Sequence, residues 1–288
     1  MKRKIFFLSI VVAAAALTFY WVRGDNPEAV RAGGNKDTEN LKELEQKLTS
    51  FSIDGRTSKG VKQWHLEGTS AEMIEEKVHF NDLKAVAYSE EGSVNLTSDT
   101  GIYNKNKGEV TLIGSVRVVS GEGAVLTTEK ATWSQNTKEI CSDALIRIER
   151  ENMIATGEGG EANSAQKKAT LKKDVRVEIK PDTKVRSDGP LVVDHDKNVA
   201  VFNDNVMVED KDGRMFADKL TVHFNPDTHK IAEVVAEGNV KVKRGKSYTI
   251  SEKAVYTEST KSAKLSGRPR IIIDPEELAD LDGMSVGR

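Results

Sequence analysis

The sequence contains one cysteine, Cys141, among its 288 residues. A single cysteine excludes an intramolecular disulfide framework and a cysteine-rich metal site. No cysteine stands soon after the first apolar run, which excludes a lipoprotein anchor. The lone thiol gives no indication of the redox compartment in which the protein works.

An excess of positive charge is also absent. The 43 lysines and arginines are balanced by 45 aspartates and glutamates, so the formal net charge is −2. This argues against nucleic acid as a partner, because nucleic-acid binding needs a concentrated basic face. Aromatic residues make up only 6% of the chain, which favours an extended sheet over a dense globular core.

Motifs for catalysis and metal binding are missing as well. No HExxH motif occurs, and no two of the five histidines have the spacing of a zinc site. His195 lies between Asp194 and Asp196, but strand neighbours point to opposite faces, so a solvated hairpin turn is favoured over a metal site. The glycine-rich segment 157–160 is too short and too acidic for a phosphate loop. We therefore expect no enzyme, metal or cofactor.

The first segment predicts a membrane anchor over residues 1–22. Lys2, Arg3 and Lys4 precede an apolar run, which spans about 27 Å as a helix and so matches a bilayer core. Tyr20 and Trp21 stand at its far end, where interface aromatics belong. The positive charges place the N-terminus in the cytoplasm and the rest of the chain across the inner membrane.

A cleaved signal peptide is the alternative interpretation of this segment. The alanines at 13–16 offer small residues for cleavage, whereas the length of the run and the aromatic pair beyond it favour an uncleaved anchor. Residues 23–49 are polar and are interpreted as a linker. Within them Leu41, Leu44 and Leu48 have the spacing of a short helix.

The most informative feature is a repeat along the chain. Its mark is an acidic residue in a short polar or small-residue context, at Asp99, Glu129, Glu158, Asp188, Asp218 and Glu252. Successive acids are 30, 29, 30, 30 and 34 residues apart. A nearly fixed period indicates an array of similar units. A periodic column of acids favours a turn or bulge device over catalytic carboxylates.

Each unit contains two strands with apolar and polar residues in alternation. The connections are short and rich in turn residues, which predicts antiparallel pairing and a meander of a dozen or more strands. We expect the meander to begin at 63–66 and to end with a strand at 270–274. Leu96 and Tyr103 have opposite parity within one strand, which predicts a β-bulge near the acid.

The repeat copies carry a resemblance to a known family. The segments 186–188 with 202–206, and 216–218 with 236–242, resemble the OstA-like repeat of the lipopolysaccharide transport protein LptA. The upstream half is similar to LptC, because the N-terminal anchor is followed by segments 64–66, 97–103 and 114–118 of the LptC type. The resemblance covers about 60–275 and implies an LptC-type protein with LptA-like repeats fused behind it.

The resemblance implies four regions after the anchor: the linker, an LptC-like β-jellyroll at 50–180, LptA/OstA-like repeats at 181–275, and a tail at 276–288. The fold it implies is all-β, an elongated and twisted antiparallel β-jellyroll folded over on itself. The repeat spacing runs across the junction at 180–183, which favours one continuous sheet over two tethered domains.

The resemblance also implies partners. These are lipopolysaccharide, an inner-membrane ABC transporter of LptB with LptF- and LptG-type subunits, and an LptA-type bridge or LptD-type β-jellyroll joined by edge-strand pairing. The implied location is the periplasm, behind a single-pass anchor in the inner membrane. The alternative is a structural scaffold that pairs edge to edge with envelope proteins and carries no lipid.

An apolar groove between the two halves of the sheet would shield acyl chains, since each exposed CH₂ costs about 0.8 kcal/mol. The predicted lining is Leu66, Leu112, Val116, Val118, Ile140, Leu145, Ile148, Val175, Val177, Val206, Val208, Leu220, Val222, Val234, Val240 and Val242. The alternative for each residue is a dry core, because every strand needs a buried face. The lysines and arginine at 241–246 are candidates for headgroup phosphates or for a solvated face.

Overall fold

The computed structural model describes residues 46–56, 60–89, 92–121, 123–134, 136–163, 166–228 and 230–274. These residues form an antiparallel sheet of seventeen strands, and this part of the chain contains no helix. It therefore has no helix that is long and apolar enough to cross a bilayer. The predicted anchor at 1–22, most of the linker and the tail at 276–288 lie outside the described residues.

The strands are long, and most are joined by tight turns. In chain order they are β1 (Gln46–Arg56), β2 (Lys62–Ile74), β3 (Lys77–Ser89), β4 (Gly92–Asn104), β5 (Glu109–Val119), β6 (Val125–Ser134), β7 (Glu139–Arg150), β8 (Met153–Asn163), β9 (Lys168–Ile179), β10 (Thr183–Ser187), β11 (Leu191–Asp194), β12 (Val199–Asp210), β13 (Gly213–Phe224), β14 (Ile231–Arg244), β15 (Ser247–Thr257), β16 (Ser262–Ser266) and β17 (Arg270–Ile272).

Two compact units divide the described residues. The first unit takes those within 46–145 and 161–167, and the second takes those within 146–160 and 168–274. In the first unit β1 to β6 pair consecutively as a meander. In the second unit β10 and β11 together fill the place of one strand between β9 and β12. From β12 the ladder runs to β15, which pairs with both β16 and β17.

The alternation predicted from the sequence produces a buried face in each unit. In the first unit the buried cluster contains Phe51, Ala71, Leu83, Val94, Leu96, Leu112, Val116, Val118 and Ala131. The rings of Phe51 and Phe80 meet at 5.5 Å between centroids, so β1 is held to the rest of the unit by aromatic packing.

The predicted β-bulge is confirmed. The β4–β5 register shifts between Thr97 and Thr100, opposite a left-handed pair formed by Gly114 (φ 78) and Ser115 (φ 46). The Ser115 hydroxyl donates a hydrogen bond to the Asp99 carboxylate at 3.1 Å. The Asp99 carboxylate thus accepts a hydrogen bond from Ser115, which has the left-handed backbone conformation.

The same arrangement recurs in the second unit. Asn239 has φ 48 and donates from its side chain to Asp218 at 2.9 Å, while Asn205 has φ 51 and donates to Asp188 at 2.8 Å. The periodic acids at these positions therefore hold the bulges by side-chain hydrogen bonds, which is the structural role that the sequence favoured over catalysis.

Two expectations at the start of the sheet are wrong. The meander begins with β1 and not at 63–66, and Leu48 lies in a strand and not in a helix. The linker leucines have helical spacing, whereas Phe51 and the residues after it have the alternation of a strand. Pairing of this segment with β2 favours the strand. β1 aligns with β2 over most of its length, which satisfies its backbone groups on one side.

A cluster of charges joins β1 to β2 on their exposed surface. Asp54 accepts hydrogen bonds from Lys62 at 2.7 Å and from His65 at 2.8 Å. These bonds, that from Lys62 first, lower the pKa of Asp54 from 3.8 to about 2. Because the pKa is lowered on folding, the stabilisation is present above pH 3.8 and is lost as the pH falls towards 2.

We expect Asp54→Asn to flatten the acid limb of the stability curve between pH 4 and pH 2. The amide cannot titrate, so the variant is less stable than the wild type at neutral pH and approaches it at pH 2. Urea unfolding followed by circular dichroism at several pH values measures this. Equal pH slopes for the two proteins would contradict the role of Asp54.

Candidate functional site

Apolar cross-strand rows form the buried face of the second unit. One row crosses seven strands through Leu171, Leu191, Phe202, Leu220, Ala236, Ala254 and Leu265. A second row crosses Val177, Val185, Val208, Met215, Val242, Thr249 and Ile271. No ionisable side chain interrupts either row, and the only polar side chain within the two rows is Thr249.

The first unit builds its buried face in the same way. Of the residues predicted there, Leu112, Val116 and Val118 belong to the buried cluster, and Leu66 and Ile140 pack against it. Leu112 lies opposite Ala131, and Val118 lies opposite Leu126. The cross-strand register therefore assembles residues that are far apart in the chain.

The most deeply buried residues follow the bulges. Val116, Val175, Val206 and Val240 each come directly after a residue with positive φ, and each is 1% exposed. Val177, two residues further along β9, is also 1% exposed. The extra residue of each bulge lets these valines stay on the buried face, while in the partner strand the alternation of buried and exposed side chains shifts by one residue.

The other predicted residues on this face remain half-buried. They are Leu66, Ile140, Ile148, Val208, Val222, Val234 and Val242, whereas Leu220 is buried at 2%. The predicted lining thus separates into a half-buried set and a fully buried set.

Leu145 does not share this face, and its prediction is wrong. It is 60% exposed, whereas its neighbour Ile146 is buried at 7%. β7 has no residue with positive φ, so it runs as a regular strand without the bulge of the other copies. In a strand with period two, an error of one residue in the alignment of repeats moves a side chain to the opposite face.

Several buried residues were absent from the predicted lining. They include Phe51, Leu83, Leu96, Leu191 and Phe202, each less than 9% exposed. The alternation Ala200, Phe202, Val206 was a usable signal for Phe202, because the bulge at 204–205 keeps the parity of β12. β11 is only four residues long, so Leu191 gave too short a pattern to interpret.

The apolar rows extend to strands at the edges of the sheet. At β1, Leu48 and Ile53 lie opposite Ala71 and Leu66 of β2, yet they are 59% and 45% exposed. At β17, Ile271 ends its row and is 68% exposed. Each unit therefore has a described edge strand at which an apolar row ends in exposed side chains.

The charged residues Asp194 and His195, considered above as metal ligands, lie outside the apolar rows. Asp194 ends β11 within ion-pair distance of Lys168 (3.8 Å) and Lys197 (3.6 Å), and the carbonyl of His195 accepts the backbone N–H of Asn198 at 3.0 Å. This confirms the hairpin turn but not its full solvation, because Asp194 is 6% exposed and the His195 Nδ1 is buried. Within the described ranges no group of three or more metal-ligating side chains converges.

Lys241 and Lys243 of β14 point away from the buried rows. Lys241 and Lys243 are exposed and alternate with Val240 and Val242, and the Lys241 ammonium lies 4.6 Å from the centroid of the Tyr248 ring. Because strand neighbours face opposite sides, these cations are on the opposite face of the sheet from the apolar rows.

Comparisons with known proteins gave two family matches. Residues 8–180 match the model described as "Lipopolysaccharide-assembly, LptC-related", and residues 184–279 match the model for LptA/(LptD N-terminal domain) LPS transport proteins. The two matches meet at the turn between β9 and β10. No curated protein matches the chain.

One solved structure with a detectable likeness is LptH from Pseudomonas aeruginosa, described as the LptA-homologous periplasmic component of the conserved lipopolysaccharide transport device. The alignment covers 43% of this chain and 95% of LptH, with 18% sequence identity and a TM-score of 0.37.

Proposed function

The chain belongs to the LptC family of lipopolysaccharide-assembly proteins and carries an LptA-type region behind the LptC-type one, and from this we propose that it takes part in lipopolysaccharide transport to the outer membrane. It works as a periplasmic component behind an N-terminal inner-membrane anchor. The LptA-type region replaces a separately recruited first segment of the bridge.

In this proposal the acyl chains bind the apolar face of each unit. Such binding needs no directional chemistry, because hydrocarbon gains about 25 cal/mol per Å² on leaving water. The uninterrupted apolar rows support this use. The half-buried residues Val208, Val222, Val234 and Val242 are the contacts that a chain meets first, and the fully buried valines form the floor beneath them.

The observation that carries the proposal is the exposure of apolar side chains at both described edge strands. Leu48, Ile53 and Ile271 are costly in water, and each stands at the end of an apolar row. An edge strand also presents unpaired N–H and C=O groups. Strand addition from a partner β-jellyroll satisfies those groups and extends the apolar rows, so lipid passes from one protein to the next without crossing water.

The partners follow from these edges. β1 lies nearest the anchor in the chain and suits the F- and G-type subunits of an inner-membrane ABC transporter driven by an LptB-type ATPase. β17 suits an LptA-type bridge protein or the LptD-type β-jellyroll at the outer membrane. The proposal assigns no catalytic residue and no cofactor, and lipopolysaccharide is the cargo.

A photo-crosslinking amino acid at Val222 or Val234 in the full chain should capture lipopolysaccharide in cells. Both side chains lie half-buried on the apolar face, within reach of an acyl chain. The same probe at Lys219, which is on β13 with its side chain on the opposite face, is the matched control. Crosslinked products are detected by immunoblotting for lipopolysaccharide.

Capture at Lys219 equal to that at Val222 and Val234 would sink the lipid-binding proposal. In that case the scaffold hypothesis, in which the sheet pairs with envelope proteins through its edges and carries no lipid, would account for the exposed edge residues by itself.

A further inference from the structure

A column of small side chains lies on the buried face, one residue before each acid of the repeat. Four of them carry hydroxyls: Ser98 (5% exposed), Thr128 (7%), Ser187 (3%) and Ser251 (4%). The remaining two copies have Gly157 and Ala217, which are also buried. The buried face is therefore mainly apolar, and its polar groups include this column, Ser142 and Arg150 of β7, and a few half-buried hydroxyls.

Three of these hydroxyls donate to a nearby backbone carbonyl. Ser98 donates to the carbonyl of Thr100 at 3.1 Å, Thr128 to that of Lys130 at 3.4 Å, and Ser187 to that of Gly189 at 3.2 Å. In each case the acceptor is two residues further along. Each hydroxyl thus stabilises the backbone at the point where, opposite the bulge, the alternation of buried and exposed side chains shifts by one residue.

Ser251 is the exception. Its hydroxyl is buried and has no hydrogen-bond partner in the described part of the chain. A buried hydroxyl that gives up water without gaining a partner destabilises the folded protein. Alanine stands at the equivalent position in β13, so the repeat tolerates a residue without a hydroxyl there.

The surroundings of Ser251 place it next to an accessible row. It lies opposite Val240 in β14, and in β15 it falls between the residues that pair with β17 and those that pair with β16. Thr249 is the preceding residue on the same face, and its row ends at the exposed Ile271. A ligand that follows this row inward from the β17 edge passes Thr249 and then meets the Ser251 hydroxyl.

We propose that the Ser251 hydroxyl donates a hydrogen bond to an ester or amide carbonyl oxygen of the lipid bound on this face. The inference rests on the proposed lipid transport and identifies a position-determining contact within it. Apolar rows fix no position along an acyl chain, because every methylene is equivalent. A buried hydroxyl without an internal partner does so, because methylenes cannot accept its hydrogen bond and the carbonyl that joins the chain to the headgroup can.

The test compares Ser251→Ala and Ser187→Ala in the full chain, with purified lipopolysaccharide as the probe. Without lipid, Ser251→Ala removes an unsatisfied group and should raise Tm by about 2–4 °C. Ser187→Ala breaks the bond to Gly189 and should lower it. With lipid, photo-crosslinking at Val222 as a function of concentration should show binding about three- to tenfold weaker for Ser251→Ala, and unchanged binding for Ser187→Ala.

Ser251→Thr retains the hydroxyl and should restore wild-type binding. A lower Tm for Ser251→Ala, like that of Ser187→Ala, would overturn the proposal because it would show an internal partner for the hydroxyl. Unchanged lipid binding by Ser251→Ala would overturn it as well. Loss of capture by the wild-type protein itself is a different result, since it removes the proposed transport function and not this contact alone.

Discussion

Replacing Val240 with aspartate should unfold the middle of the second unit at neutral pH. Val240 is 1% exposed and lies opposite Ser251 on the buried face. The substitution forfeits about 1.5–3 kcal/mol of apolar burial and adds several kcal/mol for an unpaired buried carboxylate. Since whole domains are stable by only about 5–15 kcal/mol, we expect loss of the fold from β12 to β15.

Hydrogen exchange measured by mass spectrometry resolves this effect by strand. Peptides from β12 to β15 should exchange much faster in Val240→Asp than in the wild type. Lys243→Asp is the matched control, because this side chain is exposed on the opposite face of the same strand, and we expect a change within about 0.5 kcal/mol. Wild-type protection of those peptides in Val240→Asp would show that this face is not a closed interior.

Gly238→Ala should destabilise the second unit by about 2–3 kcal/mol. Gly238 has φ +76, where a side chain costs about 1–2 kcal/mol. A Cβ there would also lie 2.9 Å from the Cβ of Asp218, so that carboxylate must move away from Asn239, to which it is hydrogen-bonded at 2.9 Å. Loss of that bond adds about 0.5–1.5 kcal/mol.

Gly123→Ala separates the two contributions. Gly123 has φ +83, but a Cβ there would meet nothing within 4 Å, so only the backbone term applies. Urea unfolding of both variants gives the difference in free energy. The double variant Asp218→Ala/Gly238→Ala removes the carboxylate and leaves only the contact between the two Cβ atoms, so we expect it to cost less than the sum of the single substitutions. Equal losses in Gly123→Ala and Gly238→Ala would contradict a role for Asp218 at the bulge.

The repeat predicted the bulge but not its chemistry. Opposite parity of Leu96 and Tyr103 showed that one extra residue had to be absorbed near the acid. Only the structure shows that the extra residue lies on the facing strand, at Gly114 and Ser115, and that Asp99 accepts its hydrogen bond. Sequence periodicity shows that the alternation changes parity within one strand. It does not show which of the two paired strands contains the extra residue.

The predicted lining shows the same limit. Leu112, Val206 and Val240 are on the buried face because their local alternation is clear. Leu145 was assigned to that face by alignment with copies that contain a bulge. Because β7 has no bulge, Leu145 lies on the opposite face. Alternation within a strand is local and can be read directly, but transfer between repeats assumes equal backbone geometry.

The sequence by itself determined the all-β class, the period near 30, the antiparallel pairing and the family. These depend on side-chain alternation and turn residues, which act over a few neighbouring positions. Only the tertiary structure decided that the strand β1 precedes β2, which residues of the predicted lining are half-buried and which are fully buried, and that Ser251 alone among the four hydroxyl residues of its column has no hydrogen-bond partner in the described part of the chain. Those features depend on cross-strand register and on burial by residues far apart in the chain, and no local pattern encodes either.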